Sequence, residues 1–177
     1  GLCAIGGDLY VAQRRAITRL RDTDGDGFYE THETVGEGWE GWNYHQFTFD
    51  LEHIDRDGDG PHPGYLYAAL STAMAPPAWE GMGTNAAVNG PMRGGILEVD
   101  LSSNDARVIA GGTRTPNGLG QGLDVYGHPT LFYADNQGTW MPTSQFSEVI
   151  PGRFYGHYNR TNIVPNLAER FPEGGHP

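Results

Sequence analysis

A short apolar unit recurs three times along this chain, as Leu9-Tyr-Val-Ala12, Leu66-Tyr-Ala-Ala69 and Leu131-Phe-Tyr-Ala134. Each copy is followed by a second alternating or apolar segment: Ile17-Thr-Arg-Leu20, Ile96-Leu-Glu-Val99 and Phe146-Ser-Glu-Val149. Alternation with a period of two buries one face of a strand, and aromatic and β-branched side chains suit that pleated surface. The recurrence points to about three similar β-units in succession. With 27 glycines, 12 prolines and few long amphipathic runs, the chain favours short strands joined by turns, so an all-β fold is expected.

At 177 residues the chain is long enough for one ordinary globular domain. A net charge of -11 and a pI near 4.9 argue against nucleic acid, because a phosphate backbone needs a basic surface. Such a surface can attract cations or a basic partner, or keep the protein in solution. The eleven basic residues are all arginine. With Cys3 as the single cysteine, neither an intrachain disulfide nor a thiolate metal cage can form. No run approaches the roughly 18 apolar residues of a membrane helix, so no transmembrane segment is expected. No signal peptide is visible, since Gly1-Leu-Cys-Ala-Ile-Gly-Gly reads as the approach to a strand, and a mature or truncated piece is expected.

Proline and glycine between residues 72 and 95 predict an extended loop, and loops of that length are often functional. The tail from residue 159 carries one candidate short helix near residues 166–170, and Asn159-Arg-Thr161 matches a glycosylation sequon.

The most specific local motif is Asp22-Thr-Asp24-Gly-Asp26-Gly27-Phe28, with Glu30 at the ninth and Glu33 at the twelfth position. Calcium takes oxygen ligands, and Asp22, Asp24, Asp26, the Phe28 carbonyl and Glu33 occupy the ligand positions of an EF-hand loop. The flanking segments read as strand and turn, so two readings stand: a structural calcium site, or a solvated acidic turn that uses Asp and Gly for their backbone preferences. The second run, Asp55-Arg-Asp57-Gly-Asp59-Gly60, has Leu66 at the twelfth position and reads as a turn.

Gly38-Trp-Glu-Gly-Trp-Asn-Tyr-His45-Gln-Phe sets a histidine among aromatics. Imidazole is well suited to proton transfer near neutral pH, although an aromatic layer also accommodates a hydrogen-bonded core histidine. Trp39, Trp42 and Tyr44 could stack on sugar faces or fill the core. Further on, Arg114-Thr-Pro-Asn117-Gly, then Asp135-Asn136-Gln137-Gly-Thr-Trp140, and then Tyr155-Gly-His157 each follow an apolar segment, where a β-scaffold presents polar groups at the mouth of a strand layer. Tight turns with side-chain capping account for several of these residues as well. No close histidine pair, phosphate loop, dinucleotide fingerprint or serine nucleophile elbow is present.

The segments Leu20-Arg-Asp-Thr-Asp-Gly-Asp-Gly27, Tyr44-His-Gln-Phe47, Arg114-Thr-Pro-Asn-Gly118, Ala134-Asp-Asn-Gln-Gly138 and Pro151-Gly-Arg-Phe-Tyr-Gly156 resemble the six-bladed β-propeller family. That family includes the soluble quinone-dependent aldose (sugar) dehydrogenases and the related planctomycete-type membrane-bound dehydrogenase-like proteins. The resemblance implies a partial β-propeller of about three blades with long loops over residues 1–177, completed by a longer chain or by another chain, because open strand edges template aggregation. It implies a periplasmic or secreted bacterial protein acting on a carbohydrate or polyol with pyrroloquinoline quinone. In that scheme His45 is the general base, and Arg114 contacts cofactor or substrate. Asn117, Asp135, Asn136, Gln137, Trp140, Tyr155 and His157 line the central cavity. Thr115 departs from the asparagine usual after the family's arginine. Two other classes compete: a non-catalytic calcium-stabilised scaffold or carbohydrate-recognition module, and a metal-assisted sugar lyase or dehydratase on a similar frame.

Overall fold

The computed structural model describes residues 1–41, 45–54, 64–72, 92–136 and 143–157, and these form eleven strands with no helix among them. The first sheet joins β1 (Leu2–Ile5), β2 (Asp8–Ala12), β3 (Ala16–Arg21) and β4 (Thr31–Glu37) in chain order. The second joins β5 (Thr48–Ile54), β6 (Tyr65–Leu70), β7 (Gly95–Asp100) and β8 (Asp105–Gly111) in the same way. The third contains β9 (Pro116–Leu123), β10 (Pro129–Asp135) and β11 (Gln145–Glu148). All pairings within these sheets are antiparallel. The all-β class is as expected. The recurrent apolar units are the second strands β2, β6 and β10, and the segments after them supply the third strands β3, β7 and β11.

The sheets stack face to face around two cores. Tyr10, Ile17, Val35 and Trp39 meet Leu51, Leu66, Ala68, Leu70, Leu97 and Val99 in one. In the other, Tyr67, Ala69 and Ile96 meet Leu119, Leu131, Tyr133 and Val149. Strand β6 is therefore covered on both sides, which explains why Tyr65-Leu-Tyr-Ala-Ala-Leu70 is a continuous apolar run. Full burial of a side chain such as Leu66 is worth about 1.5–3 kcal/mol in transfer free energy. Trp39, a sugar-stacking candidate in the sequence, is only 1% exposed; it packs in the first core and donates its indole N–H to the Thr48 hydroxyl at 3.2 Å.

The first strands of the sheets pack on one another, β1 on β5 and β5 on β9. A bulge in β5 places Asp50 at φ 48°, and its carboxylate accepts the Leu119 N–H of β9 at 2.7 Å. Arg93, 3% exposed, ties three separate segments together. Its Nε donates to the Glu40 carbonyl, and its two terminal nitrogens donate to the carbonyls of Phe47 and Arg14, each at 2.5 Å.

The second acidic run, Trp42, Tyr44, Gln137, Trp140, most of the 72–95 loop, the sequon and the candidate tail helix lie outside the described residues.

Candidate functional site

Four of the proposed polar residues meet at one end of the second and third sheets, where β5 and β9 begin and β6 and β10 finish. The geometry starts with backbone. Gly112 has φ 80°, and a Cβ there would lie 2.7 Å from the Tyr155 nitrogen, so glycine is required for the chain to pass this close. The close passage lets the Gly112 carbonyl accept the His157 N–H at 2.9 Å, after Gly111 and Phe154 have formed an isolated parallel bridge. Two hydrogen bonds from Thr72, through N–H at 2.9 Å and Oγ1 at 3.3 Å, converge on the Arg114 carbonyl and join the two sheets.

Asp135 ends β10 with its carboxylate buried. Oδ2 accepts the Arg114 N–H and Oδ1 the Thr115 N–H, both at 2.7 Å. Burial pushes the Asp135 carboxyl above the usual range, against the opposing pull of these N–H groups and of the Arg114 charge. The resemblance implies a place in the cavity wall for Asp135, with backbone capping as the other reading; here it is a clamp, both its oxygens accepting N–H groups at the start of β9.

His45 lies beside this clamp. Its Nδ1 is 3.1 Å from the Thr72 carbonyl, which only accepts, so the proton is assigned to Nδ1. Nε2 then carries the lone pair, and the Thr115 hydroxyl donates to it at 3.3 Å. Ser71 fixes the same segment by donating to the His45 carbonyl at 2.6 Å while accepting the Phe47 N–H at 2.6 Å. Burial first, then the Arg114 guanidinium and interaction with the His45 ring, push the His157 imidazole down to about 4, so it is neutral at physiological pH.

Not every candidate joins this group. Tyr155 is buried, donates its hydroxyl to the Glu148 carbonyl and accepts the Ile150 N–H at 2.7 Å, with its ring edge-on to Tyr133 at 4.8 Å. Its polar atom is thereby committed to the backbone after β11. Asn117 and Asn136 are exposed, and Asn136 contributes a backbone N–H to the Thr115 carbonyl at 3.3 Å. Two residues that the sequence reading did not single out, Ser71 and Thr72, take part, together with Thr115. Ser71 and Thr72 follow a strand whose last five residues are buried and remain buried themselves, a pairing of polarity and position that marks them.

An anionic quinone needs several cationic partners, and at this end of the sheets the described residues offer Arg114, while Thr115 turns its hydroxyl to His45. The described residues do not by themselves fit such a group.

The acidic loop between β3 and β4 is a hairpin connection and not a helix–loop–helix. Ligand oxygens of Asp22, Asp24, Asp26 and Glu30 lie within 4.8 Å of one another. Glu33, the expected twelfth-position ligand, is instead on β4 opposite Arg19, with its carboxylate 3.9 Å from that guanidinium. Strand pairing fixes this, because the register leaves Glu30 in the connection and Glu33 in the ladder. Phe28 is 75% exposed, and its N–H donates to Asp26 at 2.8 Å. Asp22 accepts the N–H groups of Gly25 and Gly27 at 2.7 and 2.9 Å, which hold its carboxyl below the usual range.

Comparison with protein-family models, with curated proteins and with solved structures finds no match.

Proposed function

We propose that the three sheets are successive blades of a β-propeller and that the end bearing His45 is part of a centre for oxidising a sugar or polyol. The blade reading is supported by the sequential sheets, their face-to-face stacking and the contact of β5 with both β1 and β9. The chemical reading rests on one observation: the Thr72 carbonyl fixes the tautomer of His45 and leaves Nε2 as the basic atom. A substrate hydroxyl replacing the Thr115 hydroxyl at Nε2 would pass its proton to His45. Arg114 would orient an electron-rich oxygen of the substrate or acceptor. The hydride acceptor implied by the resemblance is pyrroloquinoline quinone. The same resemblance suggests a periplasmic or secreted setting.

The test adds the quinone, an aldose and a dye acceptor to the protein. Dye reduction is expected, with a loss of about 100-fold or more in His45→Gln. Equal rates for the two proteins, or no reduction by either, would remove the proposal.

A calcium-stabilised scaffold is the second reading, favoured by the four clustered carboxylates of the β3–β4 loop. Calcium added to chelator-treated protein should raise the melting temperature, as any ligand selective for the native state must. Glu30→Gln should reduce that rise and Glu33→Gln should leave it intact; a melting temperature indifferent to calcium would leave the loop as a capped turn.

A further inference from the structure

Antiparallel sheets in chain order send their connections alternately to two ends. Leu119 and Gln121 of β9 meet Asp50 and His53 of β5 in that order, the Leu119 N–H on the Asp50 carboxylate at 2.7 Å and the Gln121 amide on the His53 carbonyl at 2.6 Å, so β5 and β9 run the same way. The Thr48 hydroxyl, at the start of β5, donates to the Arg14 carbonyl at 3.2 Å, which sets the β2–β3 turn at the end that holds His45. Charge divides between the two ends. Along the sequence, the connections after β2, β4, β6, β8 and β10 contain four arginines, Arg14, Arg15, Arg93 and Arg114, against two carboxylates, Glu40 and Glu80. The connections at the opposite end contain eight carboxylates against one arginine. A chain of net charge -11 therefore collects its positive side chains at the His45 end.

Three of these arginines gather around Gly41. A Cβ built there would lie 2.7 Å from both Arg14 Cγ and Arg93 Nη2, and Arg15 donates to the Gly41 carbonyl at 3.4 Å, so the bare backbone leaves the room in which they converge. Arg93 spends its donors on backbone carbonyls. Among the described residues neither Arg14 nor Arg93 forms an ion pair with a carboxylate. Glu40, beside Gly41 in the chain, keeps Oε2 buried and without a hydrogen-bond partner. Arg14 and Arg15 are exposed, and the Arg14 guanidinium lies 5.7 Å from the centroid of the Phe47 ring, itself 45% exposed. Ser71 holds the Phe47 N–H and the His45 carbonyl on one hydroxyl, so ring and imidazole belong to one fixed segment. Guanidinia crowded together bind an outside oxyanion well, because each offers a planar fork of donors. The exposed ring next to them offers an apolar face that suits the C–H side of a sugar.

We propose that this end takes an acidic oligosaccharide, with a sugar carboxylate on Arg14 and Arg15, a sugar face against Phe47 and a neighbouring unit at His45. The inference deepens the reading of His45 as a base and rests on it for the sugar, whereas the cationic subsite is read from the first sheet and the segment after it.

Isothermal titration of the chain with a tetramer of galacturonic acid, with a glucose tetramer and with inorganic phosphate tests this. The acidic tetramer should bind at least about tenfold more tightly than the other two, and its affinity should fall as salt is raised. Arg14→Gln and Arg15→Gln, both at exposed positions, should each weaken it about tenfold and flatten the salt dependence. Phe47→Leu should weaken it while the salt dependence stays that of wild type. Circular dichroism checks that each variant keeps its strands. Phosphate bound as tightly as the acidic tetramer would overturn the sugar, and equal affinity for the glucose tetramer would overturn the charge. Arginine variants indistinguishable from wild type, or a wild type that binds none of the three, would overturn the subsite. Binding is read without quinone or dye, so a failed oxidation assay leaves it standing, and oxidation of a neutral aldose with no preference for the acidic tetramer removes this proposal alone.

Discussion

Arg93 is the residue whose replacement gives the sharpest test of how this fold is held. Its guanidinium is 3% exposed and sends three hydrogen bonds to carbonyls of Arg14, Glu40 and Phe47, segments that are joined besides by the weaker bonds of the Thr48 hydroxyl to Arg14 and of the Trp39 indole to Thr48. Burial and the nearby Arg14 and Arg15 charges push its pKa down to about 10, so it remains charged at neutral pH. Hydrogen bonds from a charged donor contribute about 1.5–3 kcal/mol each, and three would sum to roughly 5–9 kcal/mol. Removing the guanidinium also relieves its desolvation, which costs several kcal/mol. The surviving loss comes from three carbonyls that each give up a charged donor, the Phe47 carbonyl keeping the Ser71 N–H and the Arg14 carbonyl the Thr48 hydroxyl, and is about 3 kcal/mol for Arg93→Met. In a chain of this length that lowers the melting temperature by about 6–12 °C. Arg93→Lys should recover only part of the loss, because a single ammonium lacks the planar fork that reaches three directions. Urea unfolding of wild type and both variants measures the differences directly. If Arg93→Met lies within about 1 kcal/mol of wild type, the three-way tie is not what joins these segments.

Asp135→Asn should cost about 2 kcal/mol, because the amide NH₂ must face a backbone N–H at Arg114 or Thr115 where a carboxylate oxygen accepted it; denaturant unfolding measures it, and an unchanged midpoint would refute the clamp. His157 has a folded pKa below its unfolded value, so between pH 6.5 and about 4 the unfolded chain binds the extra proton. Stability contributed by the neutral ring is present above pH 6.5 and is lost as the pH falls towards 4. The full shift corresponds to about 3 kcal/mol, and solvent screening at this partly buried ring reduces that to about 1–2 kcal/mol. Unfolding across this range should show a shallower slope for His157→Gln than for wild type, and parallel slopes would refute it. Asp135 acts in the opposite sense as the pH rises above its unfolded value, since its folded pKa is raised, so the difference between the two proteins isolates the histidine.

The period-two recurrence located the second and third strands of every sheet, while which side chains face which neighbouring sheet came from the packing of the two cores. It did not reveal β5, where the Asp50 bulge breaks the alternation, or β9, whose glycines carry no strand preference. Those strands exist because their neighbours and the adjoining sheet satisfy their backbone groups. The candidate site divides in the same way. Residue types nominated His45, Arg114, Asp135 and His157, but only the fold could bring together segments up to 112 residues apart (157 − 45) and turn Asp135 onto the backbone of Arg114 and Thr115. Likewise, strand register replaced Glu33 by Glu30 in the acidic loop. Local pattern fixes which face of a strand is apolar because side chains alternate; which polar groups converge is set by how sheets stack, and that depends on contacts distant in the chain.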